Sequence, residues 1–303
     1  MPAMVHLTRL GYVYFGKISE ESAGKVYDPQ TNILLEVFQK QYERLNPHGA
    51  IPFSQILQDI RNDLKNDDLG NAVRNIVCNA DNAYFLEAKK LFANSQTVAN
   101  RLKKYNRLDA TPLYHPCPDM EQFYCNGYED YILVPSRITR TTRQFLALQA
   151  LAETKTDVRL YILGKADHVA EKEKLTTYVK EHHLEERVRF LDYVSQEEKF
   201  KLYAEAKAVL FIPKEEDYGY ITLEAMASSK PVITATDSGG PLEFIRDHQN
   251  GIIAQPTAKA LAEAMDEVWN SKTMAEEYGT QARKTLDEMD ITWDRVIKEL
   301  IEA

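Results

Sequence analysis

The chain has 303 residues, of which 44% are hydrophobic and 27% charged, and its formal net charge is −9. This composition is typical of a globular protein with room for two domains, and the acidic balance argues against nucleic acid as a partner, because its binders usually carry a basic surface. The three cysteines show no metal-ligand spacing and suit a reducing compartment. No apolar run is long enough to cross a bilayer or to form the core of a signal peptide. We therefore expect a cytoplasmic protein, with peripheral membrane contact left open.

The first 130 residues contain few strand candidates. Helical patterns cover 33–45, 52–64 and 72–88, and the short strand candidates lie in YVYF (12–15), LFANS (91–95) and TPLYHP (111–116). We expect this part of the chain to be largely helical.

From residue 131 onward, short apolar runs alternate with amphipathic segments, which is the pattern of a parallel sheet wrapped by helices. The predicted strands are 131–135, 158–163, 188–191, 208–212, 232–235 and 251–254. The predicted helices are 140–153, 169–183, 196–206, 220–228, 241–246, 258–270, 273–288 and 293–301. Ser195 followed by Glu198 has the form of a capping box. The pattern predicts an α/β fold with a Rossmann-like domain.

The segment PKEEDYGYITLEAMASS (213–229) carries the clearest functional pattern. It joins a predicted strand to a predicted helix, so its loop lies at the carboxyl edge of the sheet, and the unpaired amides of the helix start favour an anion such as a diphosphate. Glu216 is placed to accept hydrogen bonds from sugar hydroxyls, and Glu224, eight residues later, to reach a ribose diol. The segment therefore suits a sugar nucleotide. The alternative is that both carboxylates only complement the helix dipole.

EDYGYITLEAMA (216–227) resembles the E-x7-E signature of the retaining, nucleotide-sugar-dependent glycosyltransferases of the GT-B fold, the family-four or glycosyl transferases group 1 type. YILVPSRI (131–138), TDSGGPLEFI (236–245) and NGIIAQP (250–256) resemble further blocks of that family in the same order. ANSQTVANRLKKY (93–105) resembles the family's block near the end of its N-terminal domain, where a strand enters a helix after an Asn-Ser turn. The resemblance covers about residues 90–302.

The resemblance implies a domain organisation of the GT-B kind. Residues 126–285 would form a complete nucleotide-sugar-binding domain, 1–125 a partial, largely helical acceptor-side domain, and 286–303 a helix that crosses back to the N-terminal part. A homo-oligomer or a companion chain could complete the partial domain.

The resemblance also assigns roles to particular residues. Glu216 and Arg137 would be catalytic, Glu216 by orienting the sugar and Arg137 by neutralising the leaving diphosphate with its guanidinium. The implied donor-binding residues are Arg137, Arg143, Gly164, Tyr193, Tyr218, Gly219, Tyr220 and Glu224. No metal and no cofactor are expected, since the nucleotide sugar is the substrate. Glu243 is interpreted as a helix-start carboxylate rather than a catalytic group.

Several positions depart from the family's pattern. Thr142 stands where the family has a lysine, with Arg140 beside it, and Asp192 stands where the family usually has glycine. Tyr14 aligns with a histidine that binds the donor sugar, unless His6 or no residue is the counterpart. Thr142 weakens the expected stabilisation of the diphosphate. Asp192 either alters the expected main-chain contact with the base or lies in solvent, and Tyr14, if it is the counterpart, weakens catalytic competence further.

The implied function is the transfer of a hexose from a nucleotide sugar to a saccharide or lipid-linked acceptor, with retention of configuration, in polysaccharide biosynthesis. The alternative is a non-catalytic or split-enzyme donor domain that binds nucleotide or a partner chain.

Overall fold

The structure is a computed structural model that describes residues 88–166 and 168–302, together with 27–28, 33–34 and single helical positions between 68 and 85. The chain divides into two compact units, Met1–Leu91 with Ile297–Ala303, and Phe92–Val296. The boundaries expected at 125/126 and 285/286 stay a prediction.

In the first unit, Tyr27–Asp28 (β1) pairs antiparallel with Ile33–Leu34 (β2). The predicted helix at 33–45 is therefore wrong at its first two residues, because a short apolar run fits a strand as well as a helix. The predictions for 12–15 and 52–64, including Tyr14, and that for His6 lie outside the described residues. Among the described positions of the predicted 72–88 helix, Ala72, Asn75, Asn79 and Phe85 are helical, whereas Ala88 at its end is not.

The second unit begins with a small parallel pair of strands. Phe92–Ala93 (β3) pairs with Thr111–Pro112 (β4). Between them lies helix α1 (Gln96–Arg101), which continues into a π-helical turn over Leu102–Asn106. The Ser95 side chain caps α1 by accepting a hydrogen bond from the Val98 amide, so the predicted strand, Asn-Ser turn and helix are confirmed.

The main sheet of this unit has six parallel strands in the order β10–β9–β8–β5–β6–β7. They are β5 (Ile132–Pro135), β6 (Leu160–Leu163), β7 (Val188–Phe190), β8 (Ala208–Leu210), β9 (Val232–Ala235) and β10 (Gly251–Ala254). Each lies inside its predicted range. Most strand residues are apolar on both faces, rather than alternating, because helices cover both faces of the sheet. The exceptions are Arg189 in the edge strand β7 and Thr234 in β9.

Helices form the two outer layers. They are α2 (Gln144–Glu153), α3 (Val169–Glu181), α4 (Gln196–Glu205), α5 (Tyr220–Ala227), α6 (Ala258–Asn270) and α7 (Lys272–Glu288). Helix α8 (Trp293–Ile301) follows α7 in the chain. Strand β5 shows how the layers separate: Ile132 and Val134 belong to one core, whereas Leu133 belongs to the core on the other face. The Ser195 side chain accepts a hydrogen bond from the Glu198 amide, as the capping pattern predicts.

Two predicted helices differ from the structure. The helix expected from residue 140 begins only at Gln144, because Arg143 has a left-handed backbone (φ 58°) and the preceding threonines form a hydrogen-bonded turn. The helix expected at 241–246 is a short 3₁₀ turn, Gly240–Glu243. Among the described helices, none is long and apolar enough to cross a membrane.

The strand order places a topological switch point between β5 and β8. Strands β6 and β7 extend the sheet to one side, and β8, β9 and β10 extend it to the other. In open α/β sheets, ligands bind outside the carboxyl ends of the strands at this point. The loops that follow β5, β8 and β9 therefore form the candidate site.

Candidate functional site

The loops after β8 and β9 are joined through their main chains. The Glu216 amide donates to the Ser238 carbonyl (2.9 Å), and the Gly240 amide donates to the Glu216 carbonyl (2.8 Å). A Cβ atom at Gly239 would lie 2.5 Å from the Glu216 carbonyl oxygen, and one at Gly240 would lie 2.5 Å from that of Tyr218. The two glycines thus permit the close approach that fixes the path of the loop carrying Glu216.

The Glu216 carboxyl group is half-buried at the switch point. Burial raises its pKa, and the negative charge of Asp217 raises it further, while Arg101 and Arg137 oppose both effects. Among the residues that the structure describes, none donates a hydrogen bond to this carboxylate. Its lone pairs therefore remain able to accept hydrogen bonds from a ligand's hydroxyl groups.

Helix α5 begins beside this loop. Gly219 occupies the N-cap with φ 86°, and no side chain caps the first amides. In the first turn, the fully buried hydroxyl of Thr222 lacks a hydrogen-bond partner within the described part of the chain. Uncapped amides and the positive end of the helix dipole favour an anion at this position.

Glu224 lies further along α5 and is only 7% exposed. Its Oε1 accepts a hydrogen bond from Lys199 Nζ (2.6 Å), and its Oε2 accepts one from the Tyr203 hydroxyl (2.6 Å). Both oxygens are therefore already engaged by protein donors. The expected contact with a ribose stays a prediction.

The loop after β5 carries Arg137 and Arg143. Arg137 is exposed, and its charge acts on Glu216. Arg143 forms a two-bond ion pair with Asp237 (2.8 and 2.6 Å), which holds the pKa of that carboxyl below its usual value. The Thr142 hydroxyl donates to the Arg137 carbonyl (2.8 Å), so the residue that replaces the family's lysine shapes the turn. The donor-binding role of Arg143 stays a prediction.

Two of the expected donor-binding residues, Gly164 and Tyr193, follow β6 and β7. Gly164 has φ 144°, and a Cβ there would lie 2.2 Å from the Ser136 carbonyl oxygen, so glycine is required for packing between neighbouring loops. Tyr193 is 79% exposed, and Asp192 pairs with Lys172. The structure brings neither Gly164 nor Tyr193 into contact with the Glu216 loop.

The hydroxyls of Tyr218 and Tyr220 form hydrogen bonds with His115, which lies in the segment that follows β4. The Tyr218 hydroxyl donates to the His115 carbonyl (2.7 Å) and accepts from the His115 amide (3.1 Å), and the Tyr220 hydroxyl lies 3.2 Å from His115 Nδ1. Tyr218 is 4% exposed. If Tyr218 binds the nucleotide sugar, as predicted, the contact would therefore come from its main chain and not from its side chain.

The segment around α1 contributes residues that the sequence did not suggest. Arg101 bonds the Asp217 carboxylate and the Glu215 carbonyl, and the Ser95 hydroxyl donates to the Asp217 carbonyl. These contacts hold the loop on both sides of Glu216. The Asn-Ser turn was the available signal, but it indicates only a helix start.

Glu243 is a helix-start carboxylate, as expected, but the helix that it caps is not the one in which it lies. Its carboxylate accepts from the amides of Gln96 (2.8 Å) and Thr97 (2.7 Å) and from the Tyr114 hydroxyl (2.7 Å). It therefore caps α1, a helix distant in sequence, rather than the start of its own turn.

Comparison with known proteins decides the family. The glycosyl transferases group 1 family matches residues 119–285, more than half of the chain. The chain belongs to this family. It is 31% identical to the α-1,3/1,6-mannosyltransferase ALG2 of Dictyostelium discoideum over 128 residues, 42% of this chain and 30% of that protein. It is 28% identical to human ALG2 over 198 residues, 61% of this chain and 47% of that protein. The chain thus spans less than half the length of these curated relatives.

Solved structures of this family's fold are similar as well. The Anabaena protein Alr3699/HepE, in complex with UDP and glucose, matches with a TM-score of 0.66 at 19% identity over 76% of this chain and 66% of that one. The C-terminal domain of the group 1 protein LpcC from Francisella tularensis matches with a TM-score of 0.50 at 21% identity over 60% of this chain and 97% of that one. At these identities the likeness shows the fold alone. It confirms the predicted GT-B-like α/β architecture.

Proposed function

We propose that this chain binds a nucleotide sugar and transfers its hexose to a saccharide or lipid-linked hydroxyl acceptor with retention of configuration. Family membership supports the reaction class. Among its relatives are mannosyltransferases and a poly(ribitol-phosphate) α-N-acetylglucosaminyltransferase, which supports a hexose or a hexosamine as the transferred sugar. The observation that carries the proposal is the Glu216 carboxylate, half-buried at the switch point with acceptor capacity left for a ligand.

The proposed arrangement assigns each part of the nucleotide sugar to one part of the site. The diphosphate lies against the uncapped start of α5, with Arg137 adding positive charge. Glu216 accepts hydrogen bonds from the sugar and Glu224 from the ribose. Positive groups fixed around the leaving diphosphate stabilise the charge that develops there as the glycosidic bond breaks. A lipid-linked acceptor would bring this protein to a membrane surface.

A second candidate function is binding of a nucleotide or a partner chain without turnover. Thr142 favours it, because an uncharged side chain committed to the Arg137 carbonyl replaces the ammonium group that the family's pattern places near the diphosphate. Weaker neutralisation of the leaving diphosphate would lower the rate of transfer more than it lowers the affinity for the nucleotide sugar.

The test is an assay of the full chain with UDP-, GDP- and ADP-hexoses and with saccharide and lipid-linked acceptors, in which release of nucleoside diphosphate is measured. We expect release with at least one donor. Glu216→Gln should lower the rate by about 100-fold, whereas Glu215→Gln, a change at the exposed neighbouring carboxylate, should leave it unchanged. Donor binding without release would select the second function. Neither binding nor release with any donor would contradict both.

A further inference from the structure

Glu224 is held between two donors that both belong to helix α4. Lys199 Nζ and the Tyr203 hydroxyl each lie 2.6 Å from a different oxygen of its carboxylate. Tyr203 is fully buried, and the Lys199 side chain is 27% exposed. Because these donors lie four residues apart on one helix, they project from the same helical face and donate to both oxygens from one side.

The surroundings pair this carboxylate and fix its position. A buried carboxylate is costly unless it is paired and hydrogen-bonded, and Lys199 supplies the opposite charge. The ammonium group itself lies 5.4 Å from the ring centre of Phe123 and 5.9 Å from that of Tyr203. The neighbouring Cys117 is a neutral thiol, since burial, together with the charge of Glu224, raises its pKa to about 12.

The paired carboxylate still has acceptor sites that its protein partners do not use. Each oxygen of an ionised carboxylate offers about two acceptor sites, and Lys199 and Tyr203 use one on each oxygen. Glu224 lies four residues beyond Tyr220, which is about 6 Å along the helix from the anion-favouring first turn. That spacing suits a sugar attached to a diphosphate. A vicinal diol can then donate one hydrogen bond to each oxygen.

We propose that Lys199 and Tyr203 are positioning residues that aim the Glu224 carboxylate at both ribose hydroxyls, so that they determine the preference of the site for ribonucleotides over deoxyribonucleotides. This inference rests on the proposed function, because it requires a nucleotide in the crevice. It goes further by assigning selection of the ribose to residues outside the E-x7-E segment.

Calorimetric titration of the full chain with UDP, GDP and ADP, and with their 2′-deoxy counterparts, tests the inference. The variants are Lys199→Met, Lys199→Arg and, as a matched control on the same helix, the exposed Lys201→Met. If Lys199→Met does not fold, as judged by its thermal unfolding, Lys199→Gln replaces it, since glutamine keeps a hydrogen-bond donor without the charge.

We expect the wild type to bind a ribonucleotide about tenfold more tightly than its 2′-deoxy form. One hydrogen bond to a charged group contributes enough binding free energy for a difference of this size. Lys199→Met should weaken ribonucleotide binding by about tenfold and bring the ratio close to one. Lys199→Arg should restore most of the ratio, and Lys201→Met should retain it. A purely structural role would weaken both nucleotide forms equally.

Three outcomes overturn the inference, and they are distinguishable. A Lys199→Met variant that keeps the wild-type ratio rejects the role of Lys199 but leaves the proposed function intact. A wild type that binds both sugar forms equally rejects the ribose contact of Glu224 alone. A wild type that binds neither these nucleotides nor any nucleotide sugar rejects the proposed function together with this inference.

Discussion

Glu216 lies on a loop that is held by main-chain bonds and by contacts of Ser95 and Arg101 with its neighbours, whereas the Glu224 carboxylate on helix α5 is itself held by side chains. The loop is fixed by the close approach of Gly239 and Gly240, and within the described residues the Glu216 carboxylate receives no hydrogen bond. The Glu224 carboxylate receives one hydrogen bond on each oxygen.

The difference shows how one short segment supports two kinds of ligand contact. The Glu216 carboxylate receives no hydrogen bond from the described residues, so its acceptor sites are left for water or a ligand and its position is set by the contacts of its loop. A carboxylate that is already paired is fixed by its partners, and a ligand adds to existing bonds. A substitution that shifts the main chain of the Glu216 loop should therefore abolish transfer activity. Removal of the Tyr203 hydroxyl should only weaken the hold on the Glu224 carboxylate.

The largest effect is expected from Gly240→Ala. The added Cβ would lie 2.5 Å from the Tyr218 carbonyl oxygen and 2.7 Å from its Cα, and neither backbone atom can move without shifting the Glu216 loop. We expect a loss of about 3 kcal/mol in the free energy of unfolding and loss of detectable transfer activity. Denaturant unfolding and the activity assay measure both.

Gly127→Ala is the matched control for that change. Gly127 has φ 104°, but a Cβ there would meet nothing within 4 Å. The control should cost only backbone strain, about 1 kcal/mol, with activity retained. Equal losses of stability in the two variants would contradict the view that crowding against Tyr218 fixes the loop.

A smaller effect is expected from Tyr203→Phe. The change removes the hydroxyl that donates to Glu224 Oε2, and the Tyr203 side chain that carries it is fully buried. Leaving a buried carboxylate oxygen without this bond should lower the free energy of unfolding by about 2 kcal/mol. Tyr161→Phe, at a partly buried ring that stacks on Tyr131, should lower it by less than about 0.5 kcal/mol. Similar values for both variants would show that the hydroxyl of Tyr203 does not stabilise Glu224.

The smallest effect concerns pH. Because burial and Asp217 raise the pKa of Glu216, transfer that requires its ionised form should decline on acidification at a higher pH than an ordinary glutamate would cause. Asp217→Asn should move this decline to lower pH, and Arg101→Met should move it to higher pH. The pH profile of kcat/KM measures both shifts. Movement of the two profiles in the same direction would contradict the assignment to Glu216.

The same raised pKa has an effect on stability with a defined sign. The carboxyl binds its proton more tightly in the folded chain than in the unfolded chain. Its contribution therefore favours folding below the ordinary pKa of glutamate and is lost as pH rises through the raised pKa. Replacing Glu216 with Gln should remove this dependence.

The sequence predicted the sheet better than it predicted the site. Apolar runs bounded by turn residues located all six strands of the main sheet, because buried parallel strands are mostly apolar on both faces. Spacing also placed Glu216 and Arg137 at one edge of that sheet, since both follow strands that flank the switch point.

The contacts that hold these residues were beyond sequence reasoning. Glu243 caps a helix that begins more than a hundred residues earlier, and Lys199 pairs with a carboxylate on a different helix. Such pairs depend on how helices and loops pack in three dimensions, and no local pattern encodes them. Gly164 shows the same limit, because its close contact is with the Ser136 carbonyl.

The account depends most directly on whether Glu216 binds the sugar and not the nucleotide. Calorimetric titration of the wild type and Glu216→Gln with a nucleotide sugar and with the matching nucleoside diphosphate measures this. We predict that the variant binds the nucleotide sugar about tenfold more weakly and the nucleoside diphosphate as tightly as the wild type. An equal change for both ligands, or no change for either, would contradict the account.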